Sequence, residues 1–338
     1  MARSISPLID PEIETLSRVF DVAALASALR GSRLGSWDPG AIEEIQLRAL
    51  RHHEGQRCTV EIAIRTGADW HHVIGKVYSD DRLDVFRAME GIEQAGFGPA
   101  NEFAIPQPLA YLPALRLLVL EKAEGRVAKQ VFREGDEASR AAAAKRCALW
   151  LARFHSCAPR TGPMAQMTDI VDFKSVRRRL AKITKLDGVA GDKVARLFHR
   201  LEAAASSLKD VELCAGHGSF SASHVLFSED RTVVFDWDGF DLADPARDVA
   251  RFLCHLPDSG LGQPGSLRAL DGIGTIFLDT YLSAGRQIAP ENFHFFAAVI
   301  CLNSALRNLR RSARDRQNLA KAEAKLEQGF AALSEVNA

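Results

Sequence analysis

The residues best equipped for chemistry fall in one short stretch. It reads His217-Gly218-Ser219-Phe220-Ser221-Ala222-Ser223-His224-Val225-Leu226, then Thr232-Val233-Val234-Phe235-Asp236-Trp237-Asp238, with Ala243-Asp244-Pro245-Ala246-Arg247-Asp248-Val249-Ala250 shortly after. Physically this is a loop, a short strand, a turn, and a second strand that ends in acids. Such a hairpin sets an aspartate at a strand end beside a polar loop, the arrangement that metal-dependent phosphoryl transfer requires. Ser219 and His217 also invite a nucleophile-and-base reading. They stand two apart in sequence, and nothing marks an oxyanion hole or an orienting acid, so that reading is the weaker.

The elements that must position this stretch follow from periodicity. Residues 1–50 read as helical on Ile13, Leu16, Val19, Phe20, Ala23 and Leu25, with a break at Gly35-Ser36-Trp37-Asp38-Pro39-Gly40. Cys58, Val60, Ile62 and Ile64 alternate with polar neighbours as in a half-buried strand. A turn at Thr66-Gly67-Ala68-Asp69 and a second apolar run, Val73 to Tyr78, predict an antiparallel hairpin. Leu83, Phe86, Met89 and Ile92 are spaced for a helix, and Leu117 to Leu120 for a short buried strand. Glu121-Lys122-Ala123-Glu124-Gly125 then reads as a hinge. Beyond it the alanine-rich segment Ala138 to His155 favours helix. So do Ile170 to Leu186 and the segments near 192–208, 267–284, 292–312 and 314–334, with one β-rich interruption between Gly216 and Asp238. A β-rich beginning and a helical remainder predict an α+β fold in two parts, 1–121 and 122–338.

At this point the stretch resembles the catalytic loop of aminoglycoside phosphotransferases and related choline and sugar kinases. Their pattern is His-Gly-Asp-hydrophobic-x-x-x-Asn-hydrophobic-hydrophobic, then Ile-Asp-(Trp/Phe)-(Asp/Glu), then Gly-Asp-Pro-x-x-Asp-hydrophobic-Ala. His217, Gly218, Val225, Leu226, Asp236, Trp237, Asp238, Asp244, Pro245, Asp248 and Ala250 match it in order and spacing. The resemblance implies a two-lobed, protein-kinase-like fold with a β-rich N-lobe and a mainly helical C-lobe. It further implies an ATP-dependent phosphotransferase that uses Mg²⁺ or Mn²⁺ and acts on a small hydroxyl acceptor. Lys76 stands where the family places the lysine that holds nucleotide phosphates, with Glu90, or secondarily Glu93, as its helix partner. Gly55 and Arg57, in the turn before the first predicted strand, are candidates for covering the phosphates, although that turn has one glycine rather than a G-x-G-x-x-G loop. Glu121, at the hinge, is a further nucleotide-contacting candidate.

Two positions depart from the family. Ser219 stands where the resemblance implies the catalytic aspartate, and His224 where it implies a metal-binding asparagine. A serine hydroxyl is a poor base. A positioned base contributes roughly 10²–10⁴-fold, so its loss slows transfer without abolishing it. His224 either ligates a metal or hydrogen-bonds the loop; imidazole suits transition metals better than Mg²⁺. Asp236 is the expected metal ligand, Asp238 a supporting acid or a replacement base, and His217 a brace for the loop. Asp244 and Asp248 are expected to cap and anchor the following helix, and His155 to be packed or capping. Three functions stay open: a slow phosphotransferase, a nucleotide-binding pseudokinase with a regulatory or scaffolding role, and nucleotidyl transfer on the same fold.

Bulk properties fit these readings. The 338 residues carry 43 Lys plus Arg against 43 Asp plus Glu, so no whole-chain attraction to nucleic acid or anionic membrane is expected. The start lacks a secretory signal and no apolar run reaches bilayer length, which makes the expectation cytoplasmic. The six cysteines are scattered, as buried thiols are, without metal-site clustering. Two basic helix faces, Lys174 to Lys185 and Arg307 to Arg316, read as solvated surface or as recognition of an acidic substrate. Neither the acceptor nor the oligomeric state is legible.

Overall fold

A computed structural model of the protein describes residues 9–30, 34, 42–164, 188–228, 230–259, 271–312 and 316–336. The chain runs through α1 (Leu16–Phe20), α2 (Val22–Arg30), β1 (Ile42–His53), β2 (Arg57–Thr66), β3 (Asp69–Tyr78), α3 (Leu83–Ile92), β4 (Phe103–Ala104), β5 (Pro108–Leu112) and β6 (Leu117–Glu121). It continues through β7 (Arg126–Val127), α4 (Ala128–Glu134), α5 (Glu137–Cys157), α6 (Gly188–Ala204), β8 (Cys214–Gly216), β9 (Val225–Phe227) and β10 (Thr232–Val234). The last elements are β11 (Asp241–Ala243), α7 (Pro245–His255), α8 (Asp271–Ser283), α9 (Pro290–Ser312) and α10 (Arg316–Val336). The fold is α+β, an antiparallel sheet region followed by a mainly helical remainder. It divides into two units, Met1–Gly125 with Leu226–Asp238, and Arg126–Val225 with Gly239–Ala338. The expected boundary after residue 121 is thus displaced to Gly125, and the hairpin that ends in Asp236 and Asp238 groups with the first unit.

In the first unit the strands order β1-β2-β3-β6-β5, every neighbouring pair antiparallel. Cys58, Val60, Ile62 and Ile64 of β2 are fully buried and pack with Val73 and Val77 of β3, Leu117 and Val119 of β6, and Leu16, Val19, Leu25 and Leu29 of the first two helices. Side chains alternate across a strand. Val73 and Val77 therefore enter this core while Lys76 and Tyr78 project from the opposite face. Gly75 lies on the core face, where an added Cβ would stand 2.9 Å from Ile62 and Leu117.

The helical reading of residues 1–50 fails over its last part. Ile42–His53 is the edge strand β1, paired along β2. Register shifts between Ile42 and Glu44 and between Ala49 and Arg51 break the two-residue alternation. Bulges of this kind leave buried residues at uneven spacing; Ile42 and Ile45, three apart, are buried and mimic a helical period.

In the second unit Val194, Leu197, Phe198 and Leu201 of α6 meet Phe295, Phe296, Leu302, Ala305 and Leu306 of α9 and Ala322, Leu326 and Leu333 of α10 in one core. The helices foreseen at Ala138 to His155, 192–208, 267–284, 292–312 and 314–334 correspond to α5, α6, α8, α9 and α10. The basic segment Lys174 to Lys185 and the break at residues 35–40 lie outside the described residues. Among the described residues no helix is long and apolar enough to cross a membrane. Cys58, Cys147, Cys214 and Cys301 are buried thiols, Cys254 is half-buried, and Cys157 is exposed.

Candidate functional site

Three strands of the first unit converge on a charge cluster around Lys76. In the β2–β3 register Arg57 lies opposite Tyr78 and Thr59 opposite Lys76, so Arg57, Lys76 and Tyr78 share the face turned away from the core. The β9–β10 hairpin reaches that face because β10 pairs in parallel with β4, Thr232 opposite Phe103 and Val233 opposite Ala104. Arg231, in the hairpin turn just before β10, ion-pairs with Glu121 at 3.3 Å. The Trp237 indole N–H donates to the Val234 carbonyl at 3.0 Å and fixes the hairpin end.

The Lys76 ammonium donates to Asp236 Oδ1 at 2.8 Å and to Asp238 Oδ1 at 2.9 Å. Tyr78 donates its hydroxyl to Asp238 Oδ1 at 2.8 Å, and Arg82 donates to the Asp238 carbonyl at 3.0 Å. Arg57 ion-pairs with both aspartates, 3.5 Å from Asp236 and closer to Asp238. Asp236 adopts φ +73°, a left-handed conformation that costs an L-residue energy and collects at functional sites. Burial pushes the Lys76 amine down from its ordinary range, against the pull of Asp236. Burial likewise pushes the Tyr78 phenol far up. A cavity of about 200 Å³ lined by Gln56, Arg57, Tyr78, Arg82 and Asp238 opens beside the cluster.

Other expected contributors are used differently. Lys76 takes its partners from the hairpin and not from Glu90, which is half-buried on α3, nor from Glu93. The Glu93 carboxyl is raised by burial. Gly55 turns between β1 and β2 at φ +67°, but its N–H donates to Asp10 Oδ2 at 2.9 Å, which also takes His52 Nε2 at 2.7 Å. In this conformation that N–H serves an internal carboxylate and not a phosphate. The Glu121 carboxylate accepts the Gln107 N–H at 3.0 Å as well as facing Arg231, so it joins β6 to its neighbours.

The polar loop belongs to the second unit. Asp248, on the first turn of α7, accepts the backbone N–H groups of His217 at 2.6 Å and Gly218 at 3.1 Å. Burial opposes its charge, yet His155, Arg247 and His217 together hold it well below the usual carboxylate range. Asp244 caps α7 by accepting the Ala246 N–H at 2.8 Å. The expected helix anchors thus divide their work, Asp244 capping and Asp248 bracing the loop. His155 is buried, 2.8 Å from the Tyr281 hydroxyl and 3.6 Å from Asp248, and burial lowers its imidazole below the ordinary range.

Ser219 Oγ lies 3.1 Å from His217 Nδ1, and the Ser219 N–H donates to the same nitrogen at 3.3 Å. A shared acceptor of this kind folds the loop on itself rather than activating a nucleophile. His224 Nδ1 donates to the Ser219 carbonyl at 2.9 Å; a carbonyl can only accept, so that nitrogen carries the proton. Gly218 has φ +73°, and a Cβ there would come within 2.1 Å of the Gly239 carbonyl oxygen. Gly218→Ala should therefore lower unfolding stability by at least about 1–2 kcal/mol, the cost of a left-handed L-residue, before the clash is counted. Urea denaturation of the variant with an unchanged midpoint would contradict this packing.

Tyr78, Arg82 and Asp10 carry no mark in the sequence reading. Tyr78 was reachable, since it stands two residues after Lys76 on one strand and so shares its face. Arg82 and Asp10 reach their partners through contacts that no local pattern announces.

The pattern of the phosphotransferase enzyme family matches residues 65–286. No curated protein matches the chain in sequence. Among solved structures, choline kinase from Cryptosporidium parvum is similar with a TM-score of 0.62 at 12% identity, covering 93% of this chain and 96% of that one. A spectinomycin phosphotransferase in complex with ADP and spectinomycin gives 0.60 at 12% identity, covering 92% and 98%. A choline/ethanolamine kinase family protein from Mesorhizobium loti gives 0.56 at 16% identity, covering 89% and 96%. At such identities the likeness is one of fold.

Proposed function

We propose, from the premise that this chain belongs to the phosphotransferase enzyme family, that it transfers a phosphoryl group from ATP to a hydroxyl of a small molecule, slowly for its class. The observation that carries this reading is the buried Lys76 held between Asp236 and Asp238. A buried ammonium beside two carboxylates on a hairpin end is the charge set that such a transfer needs to hold phosphates and a metal together.

Mg²⁺ or Mn²⁺ would neutralise charge on the phosphates when bound. The residues fit such an ion. Mg²⁺ takes one or two carboxylates and completes its shell with phosphates and water. Among the described residues no group of three or more His, Cys, Asp or Glu side chains could hold a metal alone. Asp236 would be the ligand and Asp238 its neighbour. His224, whose Nδ1 is committed to the Ser219 carbonyl, serves the loop better than it would serve a hard cation. Lys76 and Arg57, now facing the aspartates, would turn part of their charge to the phosphates.

Ser219 offers an oxygen that can orient an acceptor hydroxyl but no carboxylate to take its proton. Asp238 is a poor substitute base, since it already accepts from Lys76 and Tyr78 and pairs with Arg57. The proton then leaves with solvent or with the transferred group. Positioning and charge neutralisation remain as the sources of rate.

The test is nucleotide-dependent stabilisation together with product mass. ATP with Mg²⁺ or Mn²⁺, at about 100 times its Kd, should stabilise the fold by roughly 2.7 kcal/mol, and an acceptor should gain the mass of one phosphoryl group. Failure to bind nucleotide with either metal would overturn the reading. Binding with no turnover would point to a nucleotide-binding regulator, and a nucleotidyl adduct to transfer of the other half of ATP.

A further inference from the structure

The turn between β1 and β2 has a front and a back. His52 stands opposite Cys58 in the β1–β2 register, and the Cys58 side chain lies in the core. Arg57, one residue earlier on β2, therefore faces the other way, toward Asp236 and Asp238. Gln56 and Arg57 line the cavity of about 200 Å³ on that front side. The back is covered by the segment ahead of α1, through Asp10 and Glu12.

Asp10 is the buried acid of that segment. Its Oδ2 takes the Gly55 N–H at 2.9 Å and His52 Nε2 at 2.7 Å, and its Oδ1 takes the Glu12 N–H at 3.0 Å. The Gly55 N–H does more than any other contact to hold the carboxyl below its ordinary range. The acid is fixed from its own side as well. Its carbonyl accepts the Ile13 N–H at 3.1 Å, and Ile13 and Leu16 are core residues. A Cβ on Gly55 would overlap the Glu12 carboxylate, so segment and turn meet there too. On the front, the Gln56 carbonyl accepts the Ser79 N–H at 2.9 Å, and Arg57 stands opposite Tyr78. A buried carboxylate parted from its donors is costly. The turn therefore cannot lift without stranding Asp10.

We propose, on the reading that the chain uses ATP, that Asp10 is a positioning residue for the nucleotide. Anchored to the core on one side, it grips the β1–β2 turn from behind and so sets Gln56 and Arg57 over the phosphates. Asp10, His52 and Gly55 all precede residues 65–286, so membership of the family assigns them no role. The turn has one glycine, and the N–H of that glycine is spent on Asp10. Arg57 is then what the turn offers an anion, since a guanidinium meets phosphate oxygens through paired N–H donors. A long side chain on a loose turn would lose affinity to the cost of ordering it, and one on a fixed turn is spared most of that cost. Asp10 does its work before the nucleotide arrives.

The probe is ATP with Mg²⁺, titrated into the full chain, with Kd read from equilibrium binding. Asp10→Ala should weaken binding roughly tenfold, the size of one hydrogen bond to a charged group. His52→Ala removes the same grip from the β1 side and should weaken binding too, which covers the case that Asp10→Ala does not fold. Val19→Ala opens a cavity in the same core; it should lower the melting temperature and leave Kd unchanged. Arg57→Gln should weaken ATP as well. Adding Asp10→Ala to it should cost less than about threefold more, because residues that act through one contact are not additive. An unchanged affinity in a folded Asp10→Ala or His52→Ala variant would overturn the assignment. So would additive losses in the double variant, or an equal loss in Val19→Ala, which would make the effect one of general stability. An unaltered protein that does not bind ATP would overturn the ATP reading and this inference with it, a failure distinct from the others because it appears before any substitution.

Discussion

Lys76→Met should reduce ATP turnover by about 10²–10³-fold, the loss expected when one fixed charge is removed from a developing anionic transition state. The same change should cost the fold roughly 1–3 kcal/mol, because it takes one partner from two partly exposed carboxylates that the ammonium had compensated. Asp236 and Asp238 would then share Arg57, Tyr78 and Arg82. These two effects can be separated. Lys76→Met combined with Asp236→Asn should recover much of the stability, since one uncompensated charge is gone, yet recover no turnover. Urea denaturation measures the first and steady-state kinetics the second. Turnover within tenfold of the unaltered protein in Lys76→Met would remove Lys76 from the machinery. Lys76→Arg is not a safe control, because the guanidinium is longer, planar and unable to occupy the same point between two carboxylates.

Ser219→Asp should increase turnover by roughly 10²–10⁴-fold, the contribution of a positioned general base. The geometry around the residue sets the condition for this gain. His217 Nδ1 now accepts from both the Ser219 N–H and its hydroxyl. An aspartate there would face that lone pair unless the imidazole moved its proton to Nδ1, which the neutral ring can do. The loop is otherwise well held, by Asp248 on the His217 and Gly218 N–H groups and by His224 on the Ser219 carbonyl. The gain should therefore enter kcat rather than KM. An unchanged rate in a folded, nucleotide-binding variant would mean that the position does not stand beside the acceptor hydroxyl.

Most of the architecture was legible because its elements repeat with clean periods. The β2–β3 hairpin, α3, β6 and the long helices α5, α9 and α10 fall where alternation or helical spacing puts them. Strand β1 was not legible, because its bulges scramble the alternation on which a strand is recognised. At the candidate site, Lys76, Asp236 and Asp238 are singled out by their resemblance to the family's motif, and the structure brings them together. Their mutual pairing was misread. Glu90 was favoured as the lysine's partner because it follows on the next helix, whereas the actual partners lie 160 and 162 residues away. Periodicity reports which face a residue occupies, never which distant strand will arrive there. Arg82 and Asp10 were missed for the same reason.

That long separation bears on how the protein is made. Lys76 sits on a sheet whose strands are all complete by Glu121, but its acids are not synthesised until residues 236 and 238. At about 5–20 residues per second a ribosome needs roughly 6–23 s to cover the interval from Glu121 to the two aspartates. Throughout it the nascent sheet carries a lysine with neither aspartate to compensate it, and β10 has not yet arrived to pair with β4. The lysine's partners are therefore among the last parts of its own unit to be made. The first unit begins early on the ribosome and becomes complete only after the Arg126–Val225 part of the helical unit has been made.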